Sequence, residues 1–255
     1  MIERQNKNYI SYQDLANKVV IVTGAAQGIG EAIARSFEAV GAKVLAVDLE
    51  DVIFVPTDRK SGNRRICRAD VSKADNVRAM IDFCLHELGT PDVLINVAAI
   101  SIPRPITNMD LAEWQKVIDV NLTSVFLCTK AVLPEMIKKC RGSIINFSSV
   151  IAHTGGETSA HYTAAKAGVE GYSRTLALEL GPYNIRVNVV APGMIDTRML
   201  ALMPEAQKRK IAAKMPLRRV GQPEDLVGVA LLLASEAGSY ITGQTFHING
   251  GLFLT

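Results

Sequence analysis

The feature of this sequence that most constrains its fold is an apolar strand that leads directly into a glycine-rich turn and then into a helix. Residues 18–22 (KVVIV) form a continuous apolar run, the pattern of a strand buried on both faces. The turn, residues 23–30 (TGAAQGIG), follows at once, and a helical pattern extends from about residue 31 to residue 40. This order of elements is the context that a phosphate-binding turn requires.

The glycines of this turn have separate roles in such a unit. Gly24 permits the tight turn, Gly28 lets the backbone approach a pyrophosphate, and Gly30 allows close packing of the helix. The flanking strand and helix favour this interpretation over a glycine-rich connection that binds nothing.

An acidic residue stands where a dinucleotide-binding unit needs one. The second strand, residues 43–47, ends at Asp48, which is 18 residues after Gly30. A carboxylate about 20 residues past the last glycine binds the adenosine ribose hydroxyls and repels a 2′-phosphate. No arginine follows Asp48 at once, and Gln27 in the turn is neutral. These residues favour NAD over NADP, although Asp48 could also be an ordinary acid at a strand end.

Residues 50–66 lack the helical period that the next element of such a fold would show. Residues 51–56 are predicted to be extended and residues 57–65 to form a polar loop or a short irregular helix. The loop carries four cations, which are either a solvated surface or an attraction for a phosphate that would weaken the NAD assignment. These are Arg59, Lys60, Arg64 and Arg65.

Strands alternate with helices along the rest of the chain. Further strands are predicted at residues 65–69, 92–96, 142–149, 185–190 and 245–248. Helices are predicted at residues 72–88, capped by Ser72 with Asp75 at the capping-box position, at residues 110–139 with a break near Asn121, at residues 164–180, and from Pro223 onward. This alternation predicts one doubly wound α/β domain with a parallel sheet, Rossmann-like, over residues 18–255 after an extension at residues 1–17.

Tyr162 and Lys166 lie four residues apart, so a helix would place an ammonium beside a phenol. A nearby positive charge is expected to lower the tyrosine pKa from about 10, so that it can exchange a proton with an alcohol or ketone. A solvated lysine beside a partly buried tyrosine is the plainer alternative. Other motifs converge on the same crevice, because ligands of such sheets lie outside the carboxyl ends of the strands. They are residues 24–30, Asp48, Asp70, Asn96, Ser149 and Pro192-Gly193.

Composition argues against several functional classes. The net charge is only +3 and no basic cluster contains interleaved aromatics, so nucleic acid is not an expected partner. No apolar run reaches the roughly 18 residues of a membrane span, and residues 1–17 lack the apolar core of a signal peptide, so we expect a cytoplasmic protein. The four cysteines and four histidines show no ligand spacing, so we expect reduced cysteines and no metal.

Together these motifs resemble the short-chain dehydrogenase/reductase family, and the resemblance covers the chain from about residue 18. The family's T-G-x-x-x-G-x-G matches Thr23, Gly24, Gln27, Gly28, Ile29 and Gly30, and its Y-x-x-x-K matches Tyr162 and Lys166. Its serine matches Ser149, 13 residues before Tyr162, better than Ser148. Its helix asparagine matches Asn121, and its P-G-x-x-x-T matches Pro192, Gly193 and Thr197.

The resemblance implies a role for each matched residue. Tyr162 would be the general acid/base, Lys166 would lower its pKa and hold the nicotinamide ribose, and Ser149 would donate a hydrogen bond to the substrate oxygen. Asn121 would hold a water that links Lys166 to solvent. Thr197 and the backbone of Ile195 would fix the carboxamide, and Asp70 and Val71 would contact the adenine.

One family motif differs in this chain. The usual N-N-A-G after the fourth strand is replaced by Asn96-Val97-Ala98-Ala99. Asn96 and Ala98 remain candidates for cofactor binding, but the change alters the local hydrogen bonding and the approach of the backbone to the cofactor ribose.

Residues 196–215 are expected to form a substrate lid that is rich in flexible apolar side chains. Those side chains (Met199, Leu200, Leu202, Met203 and Met215) either meet an apolar or mixed substrate or pack the lid against the core. Near the same mouth, Arg104 and His153 could meet a polar or anionic substrate.

The resulting hypothesis is an oxidoreductase that transfers a hydride between NAD(H) and a secondary alcohol or ketone, such as an alcohol, polyol or hydroxy compound. The alternative is a 3-oxoacyl-carrier-protein reductase, which the overall pattern also resembles and which Asp48 argues against, because those reductases generally use NADPH. A non-catalytic dinucleotide-binding protein is a third class, against which the intact Ser149, Tyr162, Lys166 and Asn121 argue. The resemblance also implies a homotetramer.

Overall fold

A parallel sheet forms the centre of the computed structural model, which describes residues 12–50, 63–201 and 203–254. Within these residues the sheet has seven strands in the order β3-β2-β1-β4-β5-β6-β7. The strands are β1 Val19–Thr23, β2 Lys43–Asp48, β3 Arg64–Arg68, β4 Val93–Asn96, β5 Gly142–Phe147, β6 Ile185–Pro192 and β7 Thr245–Ile248. The prediction of a doubly wound α/β fold is confirmed.

Helices cover both faces of the sheet. They are α1 Gly28–Ala39, α2 Ala74–Glu87, α3 Leu111–Ile118, α4 Ser124–Lys138, α5 Ile151–Thr154, α6 Ala160–Leu180, α7 Arg198–Ala201, α8 Glu205–Ala212 and α9 Val227–Ala234. Helices α1 and α9 belong to one core cluster, and helices α2, α4 and α6 belong to the other.

Alternation of side chains along the strands explains why two cores form. Val20 and Val22 of β1 pack in the cluster with α1, whereas Val19 and Ile21 pack in the cluster with α2, α4 and α6. Successive strand residues point to opposite faces, so an uninterrupted apolar strand must be covered on both sides. The apolar run in the sequence therefore required this sandwich of helices around the sheet.

The strand order reverses between β1 and β4. From β1 the chain builds outward through β2 to β3, and it then returns to pair β4 with the other edge of β1. The loops that follow β1 and β4 leave on opposite faces of such a sheet, so a crevice opens between them. The candidate site described below lies there.

Two helix starts differ from the sequence predictions. Helix α6 begins at Ala160 and not at residue 164, so Tyr162 and Lys166 are both inside it. Helix α2 is capped by Lys73 and not by Ser72. The Ser72 hydroxyl donates instead to Asp70 Oδ1 at 2.6 Å, because the neighbouring carboxylate competes successfully for it.

The predicted break near Asn121 is a π-helical turn at Asp119–Thr123 that joins α3 directly to α4. Such a turn inserts an extra residue into the helical ladder. The Asn121 side chain donates from Nδ2 to the carbonyl oxygens of Val117, at 2.8 Å, and Ile100, at 2.9 Å.

The joined segment Leu111–Lys138 is long and apolar enough, by length and composition, to cross a membrane, with a mean hydropathy of 1.4. The sequence analysis did not identify it. In this fold α4 places Cys128, Val132 and Met136 in the core cluster that also contains α2 and α6. The core helix of a globular protein can meet the same criterion of length and hydropathy.

The described part of the predicted extension packs on the fold. Tyr12–Leu15 forms a 3₁₀ helix whose Leu15 is buried in the cluster with α1 and α9. The Asp14 carboxylate accepts a hydrogen bond from the backbone amide of Glu236 at 2.8 Å. Residues 1–11 and 51–62 lie outside the described residues. The second range contains the predicted extended segment and most of the predicted polar loop.

The contact between α1 and the turn before it has no room for a side chain. A Cβ atom added at Gly30 would lie 2.0 Å from the carbonyl oxygen of Gly24. We predict that Gly30→Ala lowers the free energy of unfolding by about 3 kcal/mol, since the backbone must move to relieve the overlap. Urea unfolding followed by circular dichroism measures this change.

Gly228→Ala is the matched control. Gly228 is exposed in α9 and an added Cβ would meet no atom within 4 Å. Alanine should stabilise this position by about 0.5 kcal/mol, because glycine is the poorer helix former. Equal destabilisation by both substitutions would contradict the steric explanation for Gly30.

Candidate active site

A crevice of about 1310 Å³ lies at the carboxyl end of the strands and brings most of the predicted site residues together. The predicted residues that line it are Gly24, Gln27, Gly28, Ile29, Gly30, Asp48, Asp70, Val71, Ala98, Ser149, Tyr162, Lys166, Pro192, Gly193, Ile195 and Thr197. Three others, Thr23, Asn96 and Asn121, are buried behind its wall.

The glycine turn is pressed against the loop that follows β4. Gly24 has φ +69°, and a Cβ atom there would lie 2.8 Å from both the Cα and the nitrogen of Ala98. The Thr23 hydroxyl oxygen accepts hydrogen bonds from the amides of Val97 (3.2 Å) and Ala98 (3.3 Å). Thr23 therefore holds the segment that differs from the family motif, and Asn96 does not line the crevice.

The amino terminus of α1 faces the same crevice. Its first turn carries backbone amides that have no intrahelical acceptor, and Gln27 supplies no side-chain cap. Such amides and the helix dipole favour an anion. The turn, the size of the crevice and Asp48 at its margin fit a dinucleotide with its pyrophosphate over α1.

The Asp48 carboxylate is held by the backbone. Its Oδ2 accepts from the Ala26 amide at 2.9 Å and its Oδ1 accepts from the Glu50 amide at 3.1 Å. The side chain of Glu50 pairs with Arg198 of α7 through two hydrogen bonds of 2.6 and 3.1 Å. This pair bridges the crevice mouth, and sequence reasoning missed it because the two residues are 148 positions apart.

Two of the basic residues that the sequence analysis considered for a 2′-phosphate have acidic partners. Arg64 pairs with Glu38, and Arg65 Nε donates to Glu87 Oε2 at 2.9 Å. Arg59 and Lys60 lie outside the described residues. Arg198, with its partner Glu50, is a cation that lines the crevice on the side of Asp48.

Ser149, Tyr162 and Lys166 form one group, in which Lys166 is buried and the other two are half-buried in the wall of the crevice. The Ser149 hydroxyl lies close enough to the Tyr162 phenol to lower its pKa by hydrogen bonding, and Lys166 Nζ lies 5.7 Å from the centroid of the Tyr162 ring. Burial raises the pKa of Tyr162 to about 12, and the hydrogen bond with Ser149 partly offsets this rise. The predicted lowering of this pKa by Lys166 is therefore wrong, because the loss of hydration of the phenolate is the largest influence on it.

The Lys166 ammonium donates a hydrogen bond to the backbone of β5. Nζ donates to the carbonyl oxygen of Phe147 at 2.8 Å. Burial lowers the pKa of Lys166 from 10.5 to about 8, because the charged form loses its hydration. The ammonium is still the major form at neutral pH.

The structure separates the two serines at the end of β5. Ser148 Oγ donates to Glu170 Oε1 at 2.7 Å and lies 3.0 Å from the carbonyl oxygen of Lys166. Its hydroxyl is thus occupied within the protein, whereas the Ser149 hydroxyl contacts Tyr162. The geometry agrees with the choice of Ser149 over Ser148.

Asn96 and Asn121, the two asparagines predicted at the site, keep one unpaired oxygen each among the described residues. Asn96 Nδ2 donates to Asn146 Oδ1 at 2.8 Å, and the Oδ1 atoms of Asn96 and Asn121 have no partner. Neither side chain lines the crevice. The Oδ1 atom of Asn121 could accept a hydrogen bond from the water that the family resemblance implies.

Residues predicted at the substrate mouth divide into two groups. Met199 and Leu200 line the crevice, whereas Met215 is buried and packs against Gly250. Arg104 donates to Glu113 Oε1 at 2.7 Å and is not among the lining residues. Leu202 lies outside the described residues.

His153 is not at the mouth. Its Nε2 lies 3.0 Å from Glu170 Oε1, and its ring stacks on Phe253 with centroids 5.1 Å apart. His153 is not among the residues that line the crevice, and its contact with a substrate stays a prediction. The sequence contained a signal that was missed, because Tyr162, Lys166 and Glu170 repeat every four residues along one helix.

Comparison with known proteins shows similarity over nearly the whole chain. The model of a family described as enoyl-(acyl carrier protein) reductase matches residues 24–253. The 3-oxoacyl-(acyl-carrier-protein) reductase of Thermotoga maritima is 39% identical over 244 residues, which are 94% of this chain and 99% of that protein. The 3-oxoacyl-(acyl-carrier-protein) reductase of Synechocystis sp. is 41% identical over 94% of this chain and 98% of that protein. The corresponding protein of Escherichia coli K12 is 37% identical over 93% of this chain and 98% of that protein.

The depressed pKa of Lys166 gives a stability prediction with a defined sign. Between about pH 8 and 10.5 the folded protein binds fewer protons at this site than the unfolded chain, so stability rises with pH in that window. Lys166→Met removes the buried charge, and we predict that it raises the free energy of unfolding at pH 7 by about 2 kcal/mol.

Urea unfolding at pH 7 and pH 9.5 tests this. The advantage of Lys166→Met should shrink at the higher pH, where wild type buries a mostly neutral amine. Lys138→Met, at the exposed end of α4, is the control and should show the same difference from wild type at both values. If the free energy of unfolding of Lys166→Met differs from that of wild type by the same amount at both pH values, the Lys166 ammonium does not destabilise the folded protein.

Proposed function

The chain belongs to the short-chain dehydrogenase/reductase family, and we propose that it transfers a hydride from a nicotinamide dinucleotide to the 3-oxo group of an acyl thioester. The observation that carries the proposal is the approach of Ser149 to Tyr162, next to the buried Lys166, in the crevice that the amino terminus of α1 faces. A proton donor, a hydroxyl donor and an anion-binding turn thereby share one cavity.

In the proposed reaction the cofactor supplies the hydride, and the residues of this chain manage the proton and the developing charge. Tyr162 is protonated at neutral pH, since burial raises its pKa to about 12, so it can act as a general acid toward a developing alkoxide. The Ser149 hydroxyl donates to the same oxygen and stabilises its negative charge. The Lys166 ammonium keeps the site positive as Tyr162 gives up its proton.

Binding residues follow from the lining of the crevice. The first-turn amides of α1 would hold the pyrophosphate, Asp48 the adenosine ribose, and Asp70 and Val71 the adenine. Thr197 and the backbone of Ile195 would hold the carboxamide.

The substrate class rests on the relatives and on the lid. Each of the relatives named above is a 3-oxoacyl-(acyl-carrier-protein) reductase. The crevice is bordered by Met199 and Leu200 on the lid and by Ile100 and Ile151 on the opposite walls, which suits an acyl chain beside the reacting carbonyl.

A second candidate is an NAD-dependent dehydrogenase of alcohols, polyols or hydroxy compounds. Asp48 favours it, because a carboxylate fixed by two backbone amides can bind ribose hydroxyls and repels a 2′-phosphate. Acetoacetyl-coenzyme A reduction with NADH and NADPH, run beside oxidation of secondary alcohols and polyols with NAD, separates the candidates. Cofactor binding without turnover in any assay would favour a non-catalytic binding protein.

A cytoplasmic location and a homotetramer remain predictions.

Asp48 yields a prediction on cofactor preference. We expect NADH to bind at least tenfold more tightly than NADPH, and Asp48→Ser to remove most of that difference by relieving repulsion of the 2′-phosphate. Parallel fluorescence titrations at one salt concentration measure both ratios. Asp75→Ser, which removes an exposed charge on α2, is the control and should leave the ratio unchanged. Tighter NADPH binding by wild type would identify Arg198 or the basic loop as the phosphate partner.

Tyr162 yields a prediction on catalysis. Tyr162→Phe should lower kcat/KM about 1000-fold or more, because the general acid is lost, while the Kd of the cofactor changes less than threefold. Tyr172→Phe on the same helix removes a hydroxyl that lies outside the crevice lining and should stay within twofold of wild type. Activity of Tyr162→Phe equal to that of wild type would refute the mechanism.

A further inference from the structure

A buried carboxylate lies directly behind the catalytic group and has no role in the mechanism above. Glu170 is only 4% exposed and follows Lys166 by one helical turn on α6. An ionised carboxylate removed from water is destabilising unless hydrogen bonds compensate it. Its retention at this place therefore requires an explanation from the groups that it contacts.

The contacts of Glu170 bracket Ser149 in the sequence. Oε1 accepts from the Ser148 hydroxyl at 2.7 Å, and the same oxygen lies 3.0 Å from His153 Nε2. Ser148 immediately precedes Ser149, and His153 is four residues after it in the short helix α5. One oxygen atom thus ties both sides of the segment that carries Ser149 to the helix that carries Tyr162.

The backbone of this segment is anchored to β6 on its other side. The amides of Ser148 and Val150 donate to the carbonyl oxygens of Val190 and Pro192 at 2.8 Å each. The side-chain contacts with Glu170, together with the contact of Ser148 Oγ with the Lys166 carbonyl oxygen, set the distance of the segment from α6. The relation of Ser149 to Tyr162 depends on that distance.

A small aromatic cluster holds His153 in place. Its ring stacks on Phe253 and contacts His247 edge to face, with centroids 4.7 Å apart. Burial lowers the pKa of His247, and the proximity of His153 adds to this effect. The chain near its carboxyl end therefore supports the partner of Glu170 through ring contacts.

We infer that Glu170 is a positioning residue for Ser149, acting through Ser148 and His153, and that it keeps the Ser149 hydroxyl on the Tyr162 phenol. This inference rests on the proposed function for its catalytic consequence, but its structural part concerns only residues of this chain. The effect requires an acceptor at Oε1 and not merely a side chain of this volume.

A matched pair of substitutions tests the acceptor. Glu170→Gln keeps the length and an oxygen acceptor, and its amide can donate to His153 Nε2 in the other tautomer. Glu170→Met keeps the length and removes the acceptor. Glu179→Met, at the exposed end of the same helix, controls for loss of an acid on α6.

The first readout is a crystal structure of each variant. We expect the Ser149–Tyr162 contact to be kept in Glu170→Gln and lost in Glu170→Met. An intact contact in Glu170→Met would overturn the inference. This result does not depend on knowing the substrate, so a wild-type protein without turnover would contradict the proposed function and leave this test decisive.

The second readout is kinetic. With a carbonyl substrate that the wild type reduces, Glu170→Met should lower kcat at least tenfold, with KM and the Kd of the cofactor within threefold of wild type. Glu170→Gln should keep kcat within threefold. A purely structural role would affect KM, Kd and kcat together, and equal losses in both variants would overturn the need for an acceptor.

Ser148→Ala is the milder variant if Glu170→Met does not fold. It removes one hydroxyl and should lower kcat about threefold to tenfold with the same unchanged Kd. In the Glu170→Gln background it should have the same effect, because the acceptor is still present there. Wild-type kcat in Ser148→Ala together with His153→Asn would overturn the inference.

Discussion

Helix α6 carries a half-buried phenol, a buried ammonium and a buried carboxylate along one face, and the rest of the site depends on how their hydrogen bonds are completed. The last residue of β5 and the two residues after it supply one partner for each. Phe147 accepts from Lys166, Ser148 donates to Glu170, and Ser149 contacts Tyr162. Buried polar groups are expensive without partners, so these pairs fix the register of α6 against the strand end.

The crevice above this face follows from the topology of the sheet. The chain leaves β1 and β4 on opposite faces, and the space between them can be filled only by a ligand or by loops. The turn after β1 is shaped by what it must touch, since Gly24 meets Ala98 and Gly30 meets Gly24 at distances that exclude a Cβ atom. Ligand-facing amides and a close-packed helix are therefore two consequences of one steric constraint.

Periodicity and turn chemistry predicted most of the fold because they are local. The parallel sheet and the convergence of Ser149, Tyr162 and Asp48 outside the carboxyl ends of its strands followed from alternating strand and helix patterns. The misses are also physical. Ser72 does not cap α2 because Asp70 takes its hydroxyl, and His153 does not line the crevice because its ring contacts Glu170, which is 17 residues away in sequence.

The sequence by itself determined the doubly wound fold, the glycine turn and the residues that could carry hydride-transfer chemistry, because these depend on spacing along the chain. Only the tertiary structure decided the state of those groups. Burial raises the pKa of Tyr162 and lowers that of Lys166, the reverse of what an exposed pair on a helix would show. The pairs of Glu170 with Ser148 and of Glu50 with Arg198 join distant positions. Dehydration and contacts between distant residues arise from packing, and no local pattern encodes them.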